Sequence, residues 1–227
     1  MKVRAKKVLT EEKNNILKEI NKKRLDHKSV KKFEKRLVSS IKPQEWEEFY
    51  KYLYTNVTKD FGERALNEYE DEENDNDDTS RWFAAALIYI IPVVKRRISE
   101  VVETSRDRLT NTINKVAEEN GSITDLILAI EELYDHDIPI RSKAISTTEV
   151  ITACNIGLRF AVKSLKGSIK KTWIAIMDDR TRESHWKTNG EVRSIDEKYS
   201  NGLMFPGDPT APAEEVCNCR CIESFII

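Results

Sequence analysis

The sequence predicts an α+β protein, with a mostly helical N-terminal region over residues 1–138 and a small α+β domain over residues 139–227. The second part is expected to hold a short antiparallel sheet and long Gly/Pro-rich loops. Three observations predict this. Apolar residues recur every three or four positions through the first two thirds of the chain. A β-like apolar run, Lys171 to Met177, appears only late. Six of the thirteen Gly and Pro residues fall between Gly190 and Pro212. A chain of 227 residues suffices for one large domain or two small ones, and 34% charged against 39% hydrophobic residues suits helices with solvated faces.

Val30, Phe33, Leu37 and Ile41 form the first helical stripe, and Trp46, Phe49, Leu53 and Val57 the second. Ile98, Val102, Leu109, Ile113 and Val116 continue the period. Thr10 before Glu11-Glu12, and Ser122 before Asp125, read as helix starts, because a hydroxyl there accepts otherwise unpaired backbone N–H groups. Gly121 and Pro139 read as breaks. Trp82 to Val94 is an apolar run of 13 residues containing Pro92, too short to span a bilayer and expected as a buried helix.

A second unit is expected from Pro139 onward. Ala144, Ile145, Thr148, Ile151, Asn155 and Leu158 share a helix face, and Ala153, Gly157 and Ala161 are small enough for close helix contact. This helix closes between Lys163 and Gly167. Asp178 or Asp179 is expected to cap a short helix beginning near Arg180, with Arg180 or Arg182 pairing to Glu183, Glu214 or Glu215. Asn189-Gly190 is a turn, since both residues tolerate positive φ. Val216 to Ile227 is expected as a closing strand, which would point Cys217, Cys219 and Cys221 to one side.

Charge is distributed unevenly. Residues 1–42 hold 15 Lys/Arg against 5 Asp/Glu, residues 43–80 hold 3 against 13, and the whole chain is at −1. Such halves imply pairing with itself or partners of two kinds. Glu70 to Asp78 carries no apolar residue and is expected as an acidic loop near residues 70–78. A Lys/Arg-rich N-terminus with no apolar core behind it argues against a secretory signal.

The last fifth concentrates chemistry. One of three histidines and three of four cysteines lie within 37 residues, His185 to Cys221. Imidazole and thiolates are the donors a structural Zn²⁺ site uses, and no export signal argues for metal or reduced thiols over disulfides. Cys154 sits apart and reads as packing, and Trp173 as core beneath the loop.

The same stretch resembles a known family. Arg141, Ile145, Thr148, Glu149, Asn155 and Gly157 fit a helix of the type R-x-x-x-I-S/A-x-T-E. Trp173 to His185 reads W-I-A-x-x-D-D-R-T-R-x-S-H and includes Asp178, Asp179, Arg180 and Arg182. The turn Asn189-Gly190 follows, then Phe205-Pro206-Gly207-Asp208-Pro209, Ala213 to Val216, and Asn218-Cys219-Arg220-Cys221. In this order and spacing the pieces resemble the phage Mu F-like head morphogenesis proteins over roughly residues 140–224. Many such proteins carry a Cys-x-x-Cys pair after the Asp-Arg-Thr. Here Arg182 and His185 hold those places, and Arg182 cannot bind a metal. Two readings of the cluster therefore stand. A structural zinc ion would use His185, Cys219 and Cys221 with Cys217 or Asp179 as fourth donor. The favoured alternative is metal-free, with His185 hydrogen-bonded across the loop and the cysteines buried as small apolar groups.

By resemblance the chain is a structural, non-enzymatic minor head protein of a tailed phage or prophage. It would lie in the virion, inside the phage head, after assembly in the host cytoplasm beside portal, coat and scaffold proteins, with no membrane anchor. Inside a head the basic N-terminus would meet packaged double-stranded DNA, which Lys/Arg clusters hold without reading sequence. Lys2, Arg4, Lys6, Lys7, Lys22, Lys23, Arg24, Lys31, Lys32, Lys35 and Arg36 are the expected contacts. Two catalytic readings compete. A zinc-dependent hydrolase or nuclease would use His185, Cys219 and Cys221 with Glu183 or Glu215 as base, but no second histidine or His-Glu-x-x-His pattern accompanies them. An ADP-ribosyltransferase would use Arg141, Ser146-Thr147-Thr148 and Glu214-Glu215, yet the first two fall on one helix where that chemistry needs separate strands.

Overall fold

The computed structural model describes residues 1–21, 34–69 and 79–227. Val30, Phe33, Lys22, Lys23, Arg24, Lys31, Lys32 and the acidic run Glu70 to Asp78 lie outside the described residues. The elements in order are α1 (Lys2–Asn21), α2 (Glu34–Ser39), α3 (Gln44–Tyr69), α4 (Thr79–Glu118), α5 (Ile123–Val162), β1 (Lys170–Ile174), α6 (Glu183–Thr188), β2 (Val192–Ser194), α7 (Ala213–Val216) and β3 (Ile222–Ile226). The fold is α+β, helical first and with a small antiparallel sheet near the C-terminus.

The chain divides into two compact units. One combines Met1–Tyr50 with Val94–Lys143, the other Lys51–Val93 with Ala144–Ile227. In the first, the predicted stripes are core: Leu37, Ile41, Trp46, Phe49, Ile98, Val102, Leu109, Ile113 and Val116 are all buried. They close over a buried acid, Glu12, which accepts hydrogen bonds from the Tyr134 hydroxyl at 2.6 Å and Trp46 Nε1 at 3.4 Å. A buried carboxylate needs such partners. Thr10 does not start a helix. α1 already runs from Lys2, and the Thr10 hydroxyl instead donates back to the Lys6 carbonyl at 2.9 Å. Ser122 does cap α5: Asp125 N donates to Ser122 Oγ at 3.2 Å and Ser122 N to Asp125 Oδ2 at 2.7 Å, a reciprocal capping box. Gly121 lies in the break between α4 and α5.

Pro139 does not break the chain. α5 passes through it, as α4 passes through Pro92. Both prolines are exposed, so water can serve the carbonyl that each leaves unpaired, and a helix of 40 residues retains enough packing to absorb a penalty of about 3 kcal/mol.

In the second unit α3 and α5 meet at small residues, as the sequence suggested. A Cβ on Gly157 would come within 2.2 Å of the Thr58 carbonyl oxygen, and Thr58 Oγ1 donates to the Ala153 carbonyl at 3.3 Å. The sheet has order β2-β1-β3, all antiparallel, with Thr172 opposite both Val192 and Ser224. Its inner face carries Lys171, Trp173, Glu223 and Phe225, all buried. Trp82 to Val94 is helical but only half buried. Ile88 and Ile91 are 73% and 55% exposed, because one stripe of α4 packs and the opposite stripe faces solvent.

Candidate metal centre

The terminal loops are held by a polar stripe on α5. Thr148 Oγ1 accepts from Asn218 N at 2.8 Å, and Thr152 Oγ1 donates to the Gly207 carbonyl at 3.0 Å. Asn155 acts as a short piece of strand, its amide nitrogen donating to the Cys221 carbonyl and its amide oxygen accepting from Glu223 N, both at 3.1 Å. One turn on, Arg159 donates to the Ile195 carbonyl and lies 3.6 Å from Glu223. All four side chains are buried, and their spacing of three or four places them on one helix face. Asn155 thereby satisfies the outer edge of β3, which an unpaired strand would leave open.

These ties set the backbone around a cluster of His185, Cys219 and Cys221, all buried, with donor atoms within 4.8 Å of one another. His185 Nδ1 lies 3.4 Å from Cys221 Sγ and 3.7 Å from Cys219 Sγ. Zinc–nitrogen and zinc–sulfur bonds of about 2.0 and 2.3 Å in a tetrahedron imply nitrogen–sulfur edges of about 3.6 Å. Three donors therefore fit a zinc ion. His185 Nε2 lies 3.0 Å from Glu215 Oε2, the carboxylate partner that orients a ligating imidazole. Glu215 also accepts from Ser184 Oγ at 2.9 Å. Trp173 packs edge-on against the imidazole with ring centroids 5.0 Å apart, and Tyr199 packs edge-on with Trp173 at 5.1 Å.

A hydrogen bond from Cys221, with help from His185, draws the Cys219 thiol down to about 5, and the same bond pushes Cys221 up. A thiolate is the form that binds metal. Arg220 hydrogen-bonds Asp178 through Nη1 at 2.8 Å and through Nη2, holding that carboxyl well below the usual carboxylate range and tying the Asp178 loop to the cysteine segment.

Among the described residues no fourth donor joins the cluster. Cys217 is exposed and Asp179 points into solvent. The expected continuous strand over residues 216–227 does not form: α7 ends at Val216, Asn218 turns the chain with φ of 57°, and β3 begins only at Ile222. That turn separates Cys217 from its two neighbours. Arg182, in the place of a ligand, donates to the Cys217 carbonyl and pairs with none of the expected glutamates among the described residues. Nor does Asp178 cap a helix. It accepts from Arg180 N at 3.1 Å in a tight turn, and α6 starts at Glu183 without a side-chain cap.

Other motif residues are structural ties. Asn189-Gly190 is a turn, but only Gly190 has positive φ, 79°, while Asn189 sits at −57°. This is a type II turn, which frees the Asn189 side chain to accept from Ala175 N at 2.8 Å. Pro206-Gly207 forms a similar turn, with Gly207 at φ 76° and packed on Thr152. Glu149 accepts from the Tyr54 hydroxyl at 2.6 Å. Arg141 lies in the first unit, bonded to Ser105 Oγ at 2.9 Å and the Val101 carbonyl. Cys154 is buried away from the cluster, its thiol pushed up to about 12 by burial.

Comparison with known proteins is decisive for the family. A family model described as Phage Mu protein F like protein matches residues 106–224, just over half of the chain. The chain belongs to this family. Among relatives of this Mu F-like protein, the "Uncharacterized protein YqbB" of Bacillus subtilis (strain 168) is 29% identical over 157 residues, 66% of this chain and 48% of YqbB. The "Minor head protein GP7" of Bacillus phage SPP1 is 34% identical over 67 residues, 27% of this chain and 21% of GP7. The "NAD(+)--arginine ADP-ribosyltransferase EFV" of Enterococcus faecalis (strain ATCC 700802 / V583) is 30% identical over 140 residues, 57% of this chain and 28% of that protein. The chain spans less than half the length of each of these curated relatives. No solved structure matches. The family is one of phage head proteins. Of the residues that a transferase reading would use, Arg141 and Ser146-Thr147-Thr148 lie on one helix, Thr148 Oγ1 accepts from Asn218 N, and Glu215 is engaged with His185. Among the described residues no helix is long and apolar enough to cross a membrane.

Sequence reasoning missed Thr152, Arg159, Lys171 and Glu223, and gave Glu215 as an arginine partner or a base rather than as the partner of His185. A signal for two of them existed. Lys171 shares strand parity with Trp173 and Ala175, and Glu223 with Cys221 and Phe225, so each was an ionic residue on an inward face.

Proposed function

We propose that this Mu F-like protein is a minor head protein acting in head morphogenesis, inside the capsid and beside the portal, coat and scaffold proteins. It is a structural component, assembled in the host cytoplasm and retained in the virion. The observation that carries this reading is the family match across residues 106–224, joined by the likeness to a protein named as a minor head protein. Quantitative mass spectrometry of heads purified from the phage encoding it should detect a few copies per particle. Assembled heads that lack it would sink the reading.

The terminal cluster serves this role as a tie, with zinc as its fourth party. The fit of His185 Nδ1 to both sulfurs and the Glu215 carboxylate behind the imidazole support it. Bound zinc would draw the Asp178–His185 loop and the Cys219–Cys221 segment together, with water or a swung Cys217 completing four-coordination. Protein purified without chelator should carry about one zinc per chain, and the His185→Ala variant should carry none. A metal-free wild-type protein returns the cluster to a purely hydrogen-bonded tie.

Contact with packaged DNA is the finer part of the proposal. Lys2, Arg4, Lys6, Lys7 and Lys35 are exposed, with Lys7 3.6 Å from Glu11, and Arg36 donates from Nε to Glu19 at 2.9 Å. Deleting residues 1–42 is an unsuitable test, because Ala5, Leu9, Ile16, Leu37 and Ile41 are core. Reversing exposed charges is the sounder one. DNA affinity that falls steeply with salt in the wild type, and less steeply in Lys2→Glu with Lys6→Glu, supports phosphate contact. Equal salt slopes would remove it.

A further inference from the structure

Cys219 and Cys221 are arranged as a dithiol before any partner arrives. Both sulfurs face one imidazole nitrogen, at 3.7 and 3.4 Å from His185 Nδ1, and the three donor atoms lie within 4.8 Å of one another. Arg220 between them is turned away, donating to Asp178 from Nη1 at 2.8 Å. The backbone is pinned on both sides of the pair. Cys219 N donates to the Val216 carbonyl at 3.1 Å, and Asn155 holds the Cys221 carbonyl and Glu223 N. Two residues of chain span at most about 6.8 Å, inside the range of α-carbon separations that a disulfide bridges. The other two cysteines are set apart, Cys217 exposed beyond the Asn218 turn and Cys154 buried on α5.

We propose that the Cys219–Cys221 pair is an oxidation site that regulates the tie proposed above, a reading on which this one rests. Hydrogen peroxide is the oxidant. Its O–O bond and the two S–H bonds break, one S–S bond forms, and two waters leave; the sulfurs are oxidised and the peroxide oxygens reduced. A disulfide sulfur is neither a thiol donor nor a thiolate ligand. His185 therefore loses both sulfur partners, whether hydrogen bonds or zinc make the tie, and keeps the Glu215 carboxylate and the Trp173 ring.

Access suits a small oxidant. The two cysteines are 2% and 3% exposed, yet the Glu215 side chain behind His185 is 29% exposed, so the cluster lies one side chain beneath the surface. Peroxide, little larger than water, enters by local opening, whereas a bulkier alkylating agent meets Cys217. Joining residues two apart closes a short, strained ring, and strained disulfides are the easily reduced, regulatory ones. The pair thus follows its surroundings, a dithiol in the reducing cytoplasm where assembly is proposed and a disulfide in an oxidising medium outside the cell. What oxidation loosens is α6, which carries His185 and begins without a side-chain cap.

The test takes the intact chain, purified without chelator and assayed first for zinc, through hydrogen peroxide treatment and non-reducing peptide mass spectrometry. The peptide holding Cys217 to Cys221 should lose about 2 Da, with Cys217 still open to alkylation, and dithiothreitol should restore the mass. Hydrogen–deuterium exchange of the α6 amides should quicken at least about tenfold after oxidation, while that of the α1 amides stays unchanged. Cys217→Ser should respond as the wild type does, and Cys219→Ser should show neither change; if Cys219→Ser does not fold, the wild-type mapping and exchange decide alone. Cys219 and Cys221 surviving peroxide as thiols overturns the proposal. So does oxidation confined to Cys217, or a bond joining two chains through it, or a Cys219–Cys221 bond that leaves α6 exchange unaltered. The zinc assay keeps the two readings apart. A zinc-free protein that forms the bond retains this inference and loses the metal, and a zinc-loaded protein whose thiols survive does the reverse.

Discussion

Lys171 and Lys6 are the same residue type on regular elements, yet they obey opposite rules. Lys171 sits wholly buried on the inner face of β1, its ammonium on the Met204 carbonyl, 3.7 Å from Glu223 and 4.4 Å above the Tyr199 ring. Arg159 approaches the same glutamate from α5, and the Tyr199 hydroxyl donates to it at 3.1 Å. Lys6 projects from α1 into solvent. A desolvated charge is tolerable only while all its partners are in place, so the group beneath the sheet acts as a unit. A solvated charge contributes little to the fold, and acts singly on whatever approaches. The C-terminal module is thus an all-or-none construction, and the face of α1 is a sum of small terms.

The contrast is broken or sharpened most strongly at Glu223. Glu223→Leu leaves Lys171 and Arg159 buried without their carboxylate, and urea denaturation should show a loss on the order of 3–5 kcal/mol. A loss below about 1 kcal/mol would mean that the group is not a unit. Asn155→Ala comes next. It strips a donor and an acceptor from buried β3 backbone, for roughly 2–3 kcal/mol, and under the proposed zinc tie it should also lower zinc retention by freeing the Cys221 backbone.

Lys171 itself has a pH signature. Burial holds its ammonium down to about 8 against the usual 10.5. Between those values the unfolded chain binds more protons than the folded one, so stability rises with pH through that window. Wild type should gain stability from pH 8 toward 10 relative to Lys171→Met, measured by melting temperature across the range. Parallel curves would refute the buried assignment. Smallest of all is Lys2→Glu with Lys6→Glu, expected to leave stability within about 0.5 kcal/mol. The same pair should reduce the DNA salt slope by about one per lysine.

Legibility in the sequence followed the range of the interactions. The stripes Trp46–Phe49–Leu53 and Ile98–Val102–Leu109 were readable because a helix repeats its buried face every 3.6 residues whatever it packs on. The Ser122–Asp125 cap was readable because both partners lie within one turn. The small residues Ala153, Gly157 and Ala161 signalled close contact, though not that Thr58 would be opposite. Local reasoning failed where distant packing overruled it. Thr10 looked like a cap and became helix interior, and Pro139 looked like a break within a helix held on both sides. The apolar run at residues 82–94 looked wholly buried and left Ile88 and Ile91 in solvent.

The terminal motif shows the division most clearly. Sequence alone determined the family, the late sheet and the convergence of His185, Cys219 and Cys221, since order, spacing and residue type suffice for each. Only the tertiary structure decided which polar groups are paired. Asn218 turns Cys217 out of the cluster, Glu215 comes to stand behind His185, and Asn155 substitutes for a missing strand beside Cys221 and Glu223. Each pairing joins residues 30 to 68 positions apart, and burial enforces it, because a polar group removed from water must find its partner wherever the chain brings one.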